Sequence, residues 1–165
     1  MPQTNGPPIV RNCDGCTLCC KVMGVAELEK KPGVECMHCI EGKGCGIYAS
    51  RPAMCREFNC YYLQNAELDA QWKPSTAKFC MVLEPGRLVA YVDEAHPDAW
   101  RAEPYLGQLR AWAIRNLPRG WQIVVAIGER RIVILPDGIA DLGAVQRDPT
   151  ITVRRSASGW TAVVE

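Results

Sequence analysis

The chain has 165 residues, of which 48% are hydrophobic and 22% are charged, ordinary proportions for a globular protein with an apolar core. Its 19 lysines and arginines nearly balance 18 acidic residues, which leaves a net charge of +1. A charge this small gives no long-range attraction toward phosphate backbones or anionic lipids, so the composition predicts neither a nucleic-acid partner nor a membrane partner.

The amino-terminal segment contains three prolines and no apolar stretch of signal-peptide length. We therefore expect residues 1–12 to form a disordered tail. The sequence also lacks a run of 18 apolar residues, the length that a membrane-spanning helix needs. These two features together predict a cytoplasmic protein.

Cysteine is the unusual residue in this chain. There are ten cysteines, and nine of them lie between Cys13 and Cys60. Because stable disulfides are rare in a reducing cytosol, such a cluster indicates metal ligands. The alternative is a disulfide scaffold that is exported without a visible signal. Since the segment is short of apolar periodicity, we predict that residues 13–65 form an irregular metal-binding region whose folding depends on the metal.

The cluster opens with Cys13-x-x-Cys16-x-x-Cys19-Cys20. A two-residue gap lets two thiolates reach one metal ion. Three cysteines at this double spacing also match the opening of a bacterial ferredoxin run, although the Cys-Pro that ends such a run is absent. We expect the adjacent Cys19 and Cys20 to point apart, toward different metals or toward opposite edges of one cluster.

A second block of cysteines follows between residues 36 and 60. Cys36-x-x-Cys39 is another chelating step, in which Cys36 is either a ligand or a spare thiol beside the site. We expect His38 at the surface or behind the ligands rather than on the metal. The remaining motifs of the block are Cys45-Gly46-Ile47-Tyr48, Arg51-Pro52-Ala53-Met54-Cys55-Arg56 and, four residues further on, Cys60.

In this order the motifs resemble those of the YkgJ-type cysteine-cluster proteins, a family described as zinc- or iron-chelating domains. The family pattern is C-x-x-C-x-x-C-C, a further Cys, a C-x-I-Y step and R-P-x-x-C-R, often with another Cys. The resemblance covers about residues 13–62. It implies eight metal ligands: Cys13, Cys16, Cys19, Cys20, Cys39, Cys45, Cys55 and Cys60. Cys36 is added to this set by its own chelating step.

Arg51 and Arg56 flank Cys55 and are the candidate cofactor-binding residues. Four thiolates around a divalent ion leave a net negative charge, which guanidinium groups offset while donating hydrogen bonds to sulfur. The alternative is that Arg51 only begins a helix and Arg56 faces solvent.

The number of metal centres follows from the helix expected in this block. We predict that Ser50 caps a helix beginning near residue 51. On a continuous helix, Cys55 and Cys60 would lie about 140° apart around the axis and would not share one tetrahedral site. The hypothesis is therefore two centres, or one cluster held at a helix end.

The sequence of the remaining residues, 66–165, predicts a small α+β domain. The pattern predicts strands over 78–83 and 88–92, a helix over 104–117, a hairpin of 121–127 with 131–135, and a last strand pair over 151–155 and 161–164. Cys80 falls inside the first of these strands, and we expect it to be a buried core thiol. Tyr61, Tyr62 and Leu63 are predicted to join the cysteine-rich segment to the sheet.

The predicted fold class is α+β, with an irregular metal-stapled half packed against a small, mostly antiparallel sheet and one main helix. The predicted function is to hold an iron–sulfur cluster or zinc, and the repeated two-residue spacing favours iron–sulfur. One alternative is a zinc-structured module that binds a protein partner. Another is an iron–sulfur-dependent redox or modifying enzyme. The sequence has no glycine-rich phosphate loop, zinc-protease motif or nucleophile elbow, so it predicts no catalytic residue.

Overall fold

The computed structural model describes residues 11–146 and 149–165. Of the tail predicted over 1–12, residues 1–10 lie outside the described residues. The side chain of Arg11 donates hydrogen bonds to the carbonyl oxygens of Tyr62, Ala66 and Leu68. Across the two described ranges, no helix combines the length and the apolar character needed to cross a membrane.

The fold combines short helices with a mixed sheet and two small hairpins, which confirms the α+β class. The helices are α1 (Leu18–Val22), α2 (Ala53–Glu57), α3 (Tyr61–Gln64), α4 (Pro74–Ala77) and α5 (Tyr105–Asn116). The strands are β1 (Cys39–Ile40), β2 (Gly44–Cys45), β3 (Phe79–Glu84), β4 (Arg87–Val92), β5 (Gln122–Ile127), β6 (Arg130–Ile134), β7 (Ile139–Ala144), β8 (Ile151–Ser156) and β9 (Gly159–Val164). Single 3₁₀ turns lie at Ala26–Leu28, Tyr48–Ser50, Ala70–Trp72, Ala99–Arg101 and Leu117–Arg119.

The large sheet has the strand order β3-β4-β5-β6-β7. Its neighbours are antiparallel except for β4 and β5, which are parallel. A parallel pair needs a crossover connection, and the segment containing α5 supplies it. The predicted strands, the main helix and the mostly antiparallel sheet are confirmed, as is the final pair, which forms the separate hairpin β8–β9. The pattern does not predict β7.

Both faces of the sheet are covered, which is why its central strands are apolar at consecutive positions. Leu88 of β4 lies opposite Ile123 of β5 and packs on the side of α5. The next pair, Val89 and Val124, packs on the other face, where Trp160 of the hairpin β8–β9 covers it. The sheet therefore has an apolar core on each side.

The cysteine-rich segment packs against the edge strand β3, which contacts α1, α3 and α4. Val22, Cys60 and Cys80 form a small buried cluster there, with Tyr62 and Leu63 packed against it. Tyr61 and Tyr62 also pack on the main core beneath α5. These contacts confirm the predicted join between the two halves of the chain.

Candidate metal centre

The turn from Cys13 to Cys16 is held by backbone geometry. The Cys16 N–H donates to the Cys13 carbonyl over 2.8 Å, and Gly15 lies in the left-handed region with φ +74°. A Cβ atom at Gly15 would lie 2.4 Å from the carbonyl oxygen of Gly42, so this turn rests directly on the β1–β2 loop. Lys73 fixes the other side by donating to the Asp14 carbonyl at 3.1 Å.

Helix α1 carries Cys19 and Cys20, whose side chains leave the axis about 100° apart. An ion pair of 2.7 Å between Lys21 and the buried Asp93 at the end of β4 anchors this helix to the sheet. Cys19 lines a cavity against β3. Cys20 receives the thiol hydrogen of Cys39 and donates its own to Cys19. The two adjacent cysteines therefore take part in different groups of thiols and also contact each other.

The second block folds over the end of α1. The Cys36 N–H donates to the Cys20 carbonyl at 3.0 Å, and the Cys39 N–H donates to the Cys36 carbonyl at 2.9 Å. Cys39 lies directly opposite Cys45 in the β1–β2 pair. His38 is half-buried, and its carbonyl accepts the Gly46 N–H at 2.8 Å.

The predicted capping by Ser50 is wrong. Ser50 belongs to a 3₁₀ turn, and α2 begins at Ala53 with Pro52 in the capping position. Proline before the helix has the extended backbone that starts it, so no hydroxyl cap is used. The helix then ends at Glu57, and Phe58 is extended. Because the helix stops before Cys60, the 140° separation expected on a continuous helix does not apply, and Cys55 and Cys60 line the same cavity.

This cavity has a volume of about 90 Å³. Its walls combine thiols, apolar side chains and two cations. The cysteines that line it are Cys13, Cys16, Cys19, Cys55, Cys60 and Cys80. The other predicted ligands, Cys20, Cys36, Cys39 and Cys45, do not line it.

Cys80 is the member of this cavity that the motifs do not predict as a ligand. It is completely buried on β3, as expected, but its thiol donates a hydrogen bond to the sulfur of Cys60. That hydrogen bond lowers the pKa of Cys60. Burial opposes the shift, and the backbone N–H groups of Leu63 and Tyr62 contribute to it. Cys80 lies twenty residues after Cys60, and this spacing does not indicate chelation. Only the predicted strand could have suggested the direction of the Cys80 side chain.

In three other thiols, Cys13, Cys39 and Cys55, the pKa is raised. Burial, followed by the neighbouring Cys60 and Cys16, raises the pKa of Cys13. Burial and Cys20 raise the pKa of Cys39 to about 11, and the same causes raise the pKa of Cys55. A bound metal cation would favour the thiolate form instead, because thiols release their protons when they coordinate a metal.

Three cationic side chains lie near the thiols. Arg51 and Lys73 line the cavity, and Arg51 stacks on the Tyr48 ring with 3.6 Å between guanidinium carbon and centroid. Burial lowers the pKa of Lys30, although neighbouring thiols led by Cys36 oppose the shift. Arg56 is exposed outside the cavity and donates to the Arg51 carbonyl at 2.8 Å. Of the two candidate arginines, only Arg51 therefore faces the thiols.

All ten cysteines are free thiols. Among residues 11–146 and 149–165, no three or more Cys, His, Asp or Glu side chains are gathered closely enough to hold a metal ion. The chemistry of the donor set nevertheless fits a thiophilic metal, because six free thiols share one cavity with two cations. A bound ion would require these thiols to turn toward a common point.

No protein-family model matches the chain, and no curated protein or solved structure is significantly similar to it.

Proposed function

We propose that this chain is a cytoplasmic metal-binding protein that holds zinc or an iron–sulfur cluster through its cysteine-rich segment. The observation that carries the proposal is the convergence of six free thiols, from four separate parts of the chain, on one cavity. Free thiols that share a cavity stay protonated, become oxidised or bind a cation. In a reducing compartment the cation is the favoured outcome, since disulfides do not persist there.

The electrostatics of the site support the same function. Four thiolates around a divalent ion leave a charge of about −2, and uncompensated charge inside a protein is costly. Arg51 and Lys73 lie in the cavity wall, where each offsets part of that charge. Lys30 is placed beside the remaining thiols and does the same for them.

The cysteine-rich segment buries few apolar residues, so a bound metal would stabilise its fold. Between residues 11 and 60, only Val22, Val25 and Cys60 are buried apolar residues. A segment of this length cannot offset its chain entropy with so little buried surface. When bound, zinc would cross-link the segment, and an iron–sulfur cluster would add electron-transfer chemistry. The resemblance to YkgJ-type proteins points to the same pair of cofactors.

The test is a metal and sulfide determination on the full chain, purified without oxygen. We expect at least one zinc or iron per chain, with acid-labile sulfide matching iron if the cofactor is a cluster. The control replaces Cys16, Cys19, Cys39 and Cys45 together by serine, and it should retain no metal. Wild-type protein that is monodisperse and folded yet free of metal would refute the proposal.

A protein-interaction module is the second candidate, favoured by the distribution of exposed apolar side chains. In the described part of the chain, eight large apolar side chains are exposed, and five of them belong to the cysteine-rich segment: Val34, Met37, Ile40, Tyr48 and Met54. Exposed apolar groups concentrated in one segment are typical of binding surfaces. Met37→Ser with Ile40→Ser should then leave the metal content unchanged and abolish crosslinking to a partner that the wild-type chain binds. Unchanged crosslinking would count against this role.

A further inference from the structure

The β1–β2 pair places two cysteines directly opposite each other. Cys39 of β1 and Cys45 of β2 are register partners, next to the pair of Ile40 and Gly44. Among the strand pairs that the structure describes, no other cysteine lies opposite a cysteine. Partners in an antiparallel pair extend their side chains on the same face. The backbone register itself therefore makes these two thiols neighbours.

The hydrogen bonds of the hairpin show which kind of pair this is. The Gly46 N–H donates to the His38 carbonyl at 2.8 Å, so these two residues continue the register as a hydrogen-bonded pair. Hydrogen-bonded and non-hydrogen-bonded pairs alternate along an antiparallel ladder, which makes Cys39 and Cys45 a non-hydrogen-bonded pair. The Cα atoms of such a pair are about 4.5 Å apart. A disulfide joins residues whose Cα atoms are about 4.4–6.8 Å apart, so this pair is within bonding range.

The surroundings of the pair leave room for the reaction. Both thiols are free and half-buried, so a small molecule reaches them without unfolding of the chain. A Cβ atom built at Gly42 or at Gly44 would meet nothing within 4 Å. The loop that joins the two strands therefore has open space beside it, and the strands have freedom to adjust as the sulfurs approach each other.

We propose that Cys39 and Cys45 are a reversible disulfide site, oxidised by a low-molecular-weight disulfide of the glutathione type. One of the two thiolates attacks the S–S bond of glutathione disulfide and forms a mixed disulfide, and the first glutathione leaves. The opposing thiolate then attacks the mixed disulfide, forms the Cys39–Cys45 bond and releases the second glutathione. The two cysteines lose two electrons and two protons, and the two glutathione molecules receive them as thiols.

The bond needs no metal, so the inference goes beyond the proposed function. One consequence does rest on that function. A sulfur in a disulfide has no thiolate to offer a metal, so oxidation would remove two of the expected ligands, and a bound metal would protect the pair from oxidation. In a reducing compartment the bond would be transient, as is usual for cytosolic disulfides that sense redox conditions.

The test is a disulfide map of the full chain after treatment with an excess of glutathione disulfide, both as purified and after a chelator has removed any metal. Trypsin cleaves after Lys43, so the proposed bond keeps two peptides joined until a reductant is added. Tandem mass spectrometry identifies the cysteines that are joined. Cys45→Ser removes one partner. Cys36→Ser is the matched control, because Cys36 lies three residues before Cys39 but outside the strand pair.

We expect most chelator-treated wild-type and Cys36→Ser chains to contain the Cys39–Cys45 bond. Cys45→Ser should lose this bond and carry glutathione on Cys39 instead, as the trapped intermediate. Wild-type chain oxidised in guanidinium chloride should scatter its disulfides among the cysteines. The same map for folded and unfolded chains would overturn the inference, as would a bond from Cys39 to Cys20, its thiol hydrogen-bond partner, or no bond at Cys45. The metal content of untreated protein tests the proposed function separately, and metal-free protein would leave the disulfide site standing.

Discussion

Replacing Gly15 by alanine would test the contact between the Cys13–Cys16 turn and the β1–β2 loop. Gly15 has φ +74°, a conformation that costs an L-residue about 1–2 kcal/mol. In addition, its new Cβ atom would lie 2.4 Å from the Gly42 carbonyl oxygen. That oxygen belongs to the backbone and cannot rotate away, so either the Cys13–Cys16 turn or the β1–β2 loop has to move. Overpacking of this kind adds about 1–3 kcal/mol.

Gly42→Ala is the matched control for this substitution. Gly42 has φ +69°, almost the same backbone conformation, but a Cβ atom there would meet nothing within 4 Å. It therefore carries only the conformational cost of about 1–2 kcal/mol. The difference between the two variants isolates the contact between the turn and the loop.

The assays are urea unfolding and the rate at which each thiol is alkylated, read by mass spectrometry. We expect Gly15→Ala to lose about 2–5 kcal/mol of unfolding free energy, and Gly42→Ala to lose about 1–2 kcal/mol. Alkylation of Cys13, Cys16, Cys39 and Cys45 should become faster in Gly15→Ala alone. Equal losses and equal alkylation rates in both variants would refute the reasoning, because the close contact would then have no energetic consequence.

Three further predictions concern the sheet and the cations. Burial opposes ionisation of Asp93, but its ion pair with Lys21 and its hydrogen bond from the Ala95 N–H outweigh burial and lower its pKa. The resulting stabilisation is complete above pH about 4, and it is lost as the pH falls through the lowered pKa of the folded chain. Asp93→Asn should therefore cost about 1.5–3 kcal/mol in urea unfolding at pH 7 and little near pH 2, and an equal loss at both pH values would contradict this. Leu109→Ala should cost about 2–5 kcal/mol, because Leu109 is completely buried. The exposed helix residue Ile114, replaced by alanine, should change stability by less than about 0.5 kcal/mol in the same assay, and similar losses would argue against the placement of α5. Arg51→Gln should weaken metal retention against a chelator about 10- to 100-fold, whereas the exposed Arg56→Gln should leave it unchanged; the reverse order would contradict the placement of Arg51 in the cavity.

The predictable part of the fold is the part governed by local pattern. The strands on either side of Pro85-Gly86 and the helix that stops before Gly120 follow from turn residues and apolar spacing. β7 is different: Gly143 has φ +69°, and the strand pairs with β6 through an irregular register, so β-propensity alone does not indicate it. The parallel pairing of β4 with β5 is equally invisible, because it depends on where the crossover returns the chain.

The cysteines of the site could be predicted from the sequence, but the contacts between them could not. The two-residue spacings select the cysteines of the first motif, but some of the thiol hydrogen bonds join cysteines that are far apart in the sequence. Cys20 forms a hydrogen bond with Cys39, and Cys60 forms one with Cys80, twenty residues away. The expectation for Cys55 and Cys60 assumed a continuous helix, and its early end at Glu57 removes the assumed separation. Spacing within a motif therefore says which residues are available, and the tertiary fold decides which of them meet.

This dependence on the tertiary fold has a thermodynamic consequence for the proposed metal site. The thiols that line the cavity come from the first motif, from α2, from the residue before α3 and from β3, so an unfolded chain does not hold them together. A metal that binds only the folded chain stabilises it by RT ln(1 + [M]/Kd), or about 4 kcal/mol at a thousand times its dissociation constant. A stabilisation of that size is comparable to the whole stability of a small domain. Because β3 supplies Cys80 to the cavity wall, the same free energy would act on the sheet, and metal binding would then stabilise both halves of the chain together.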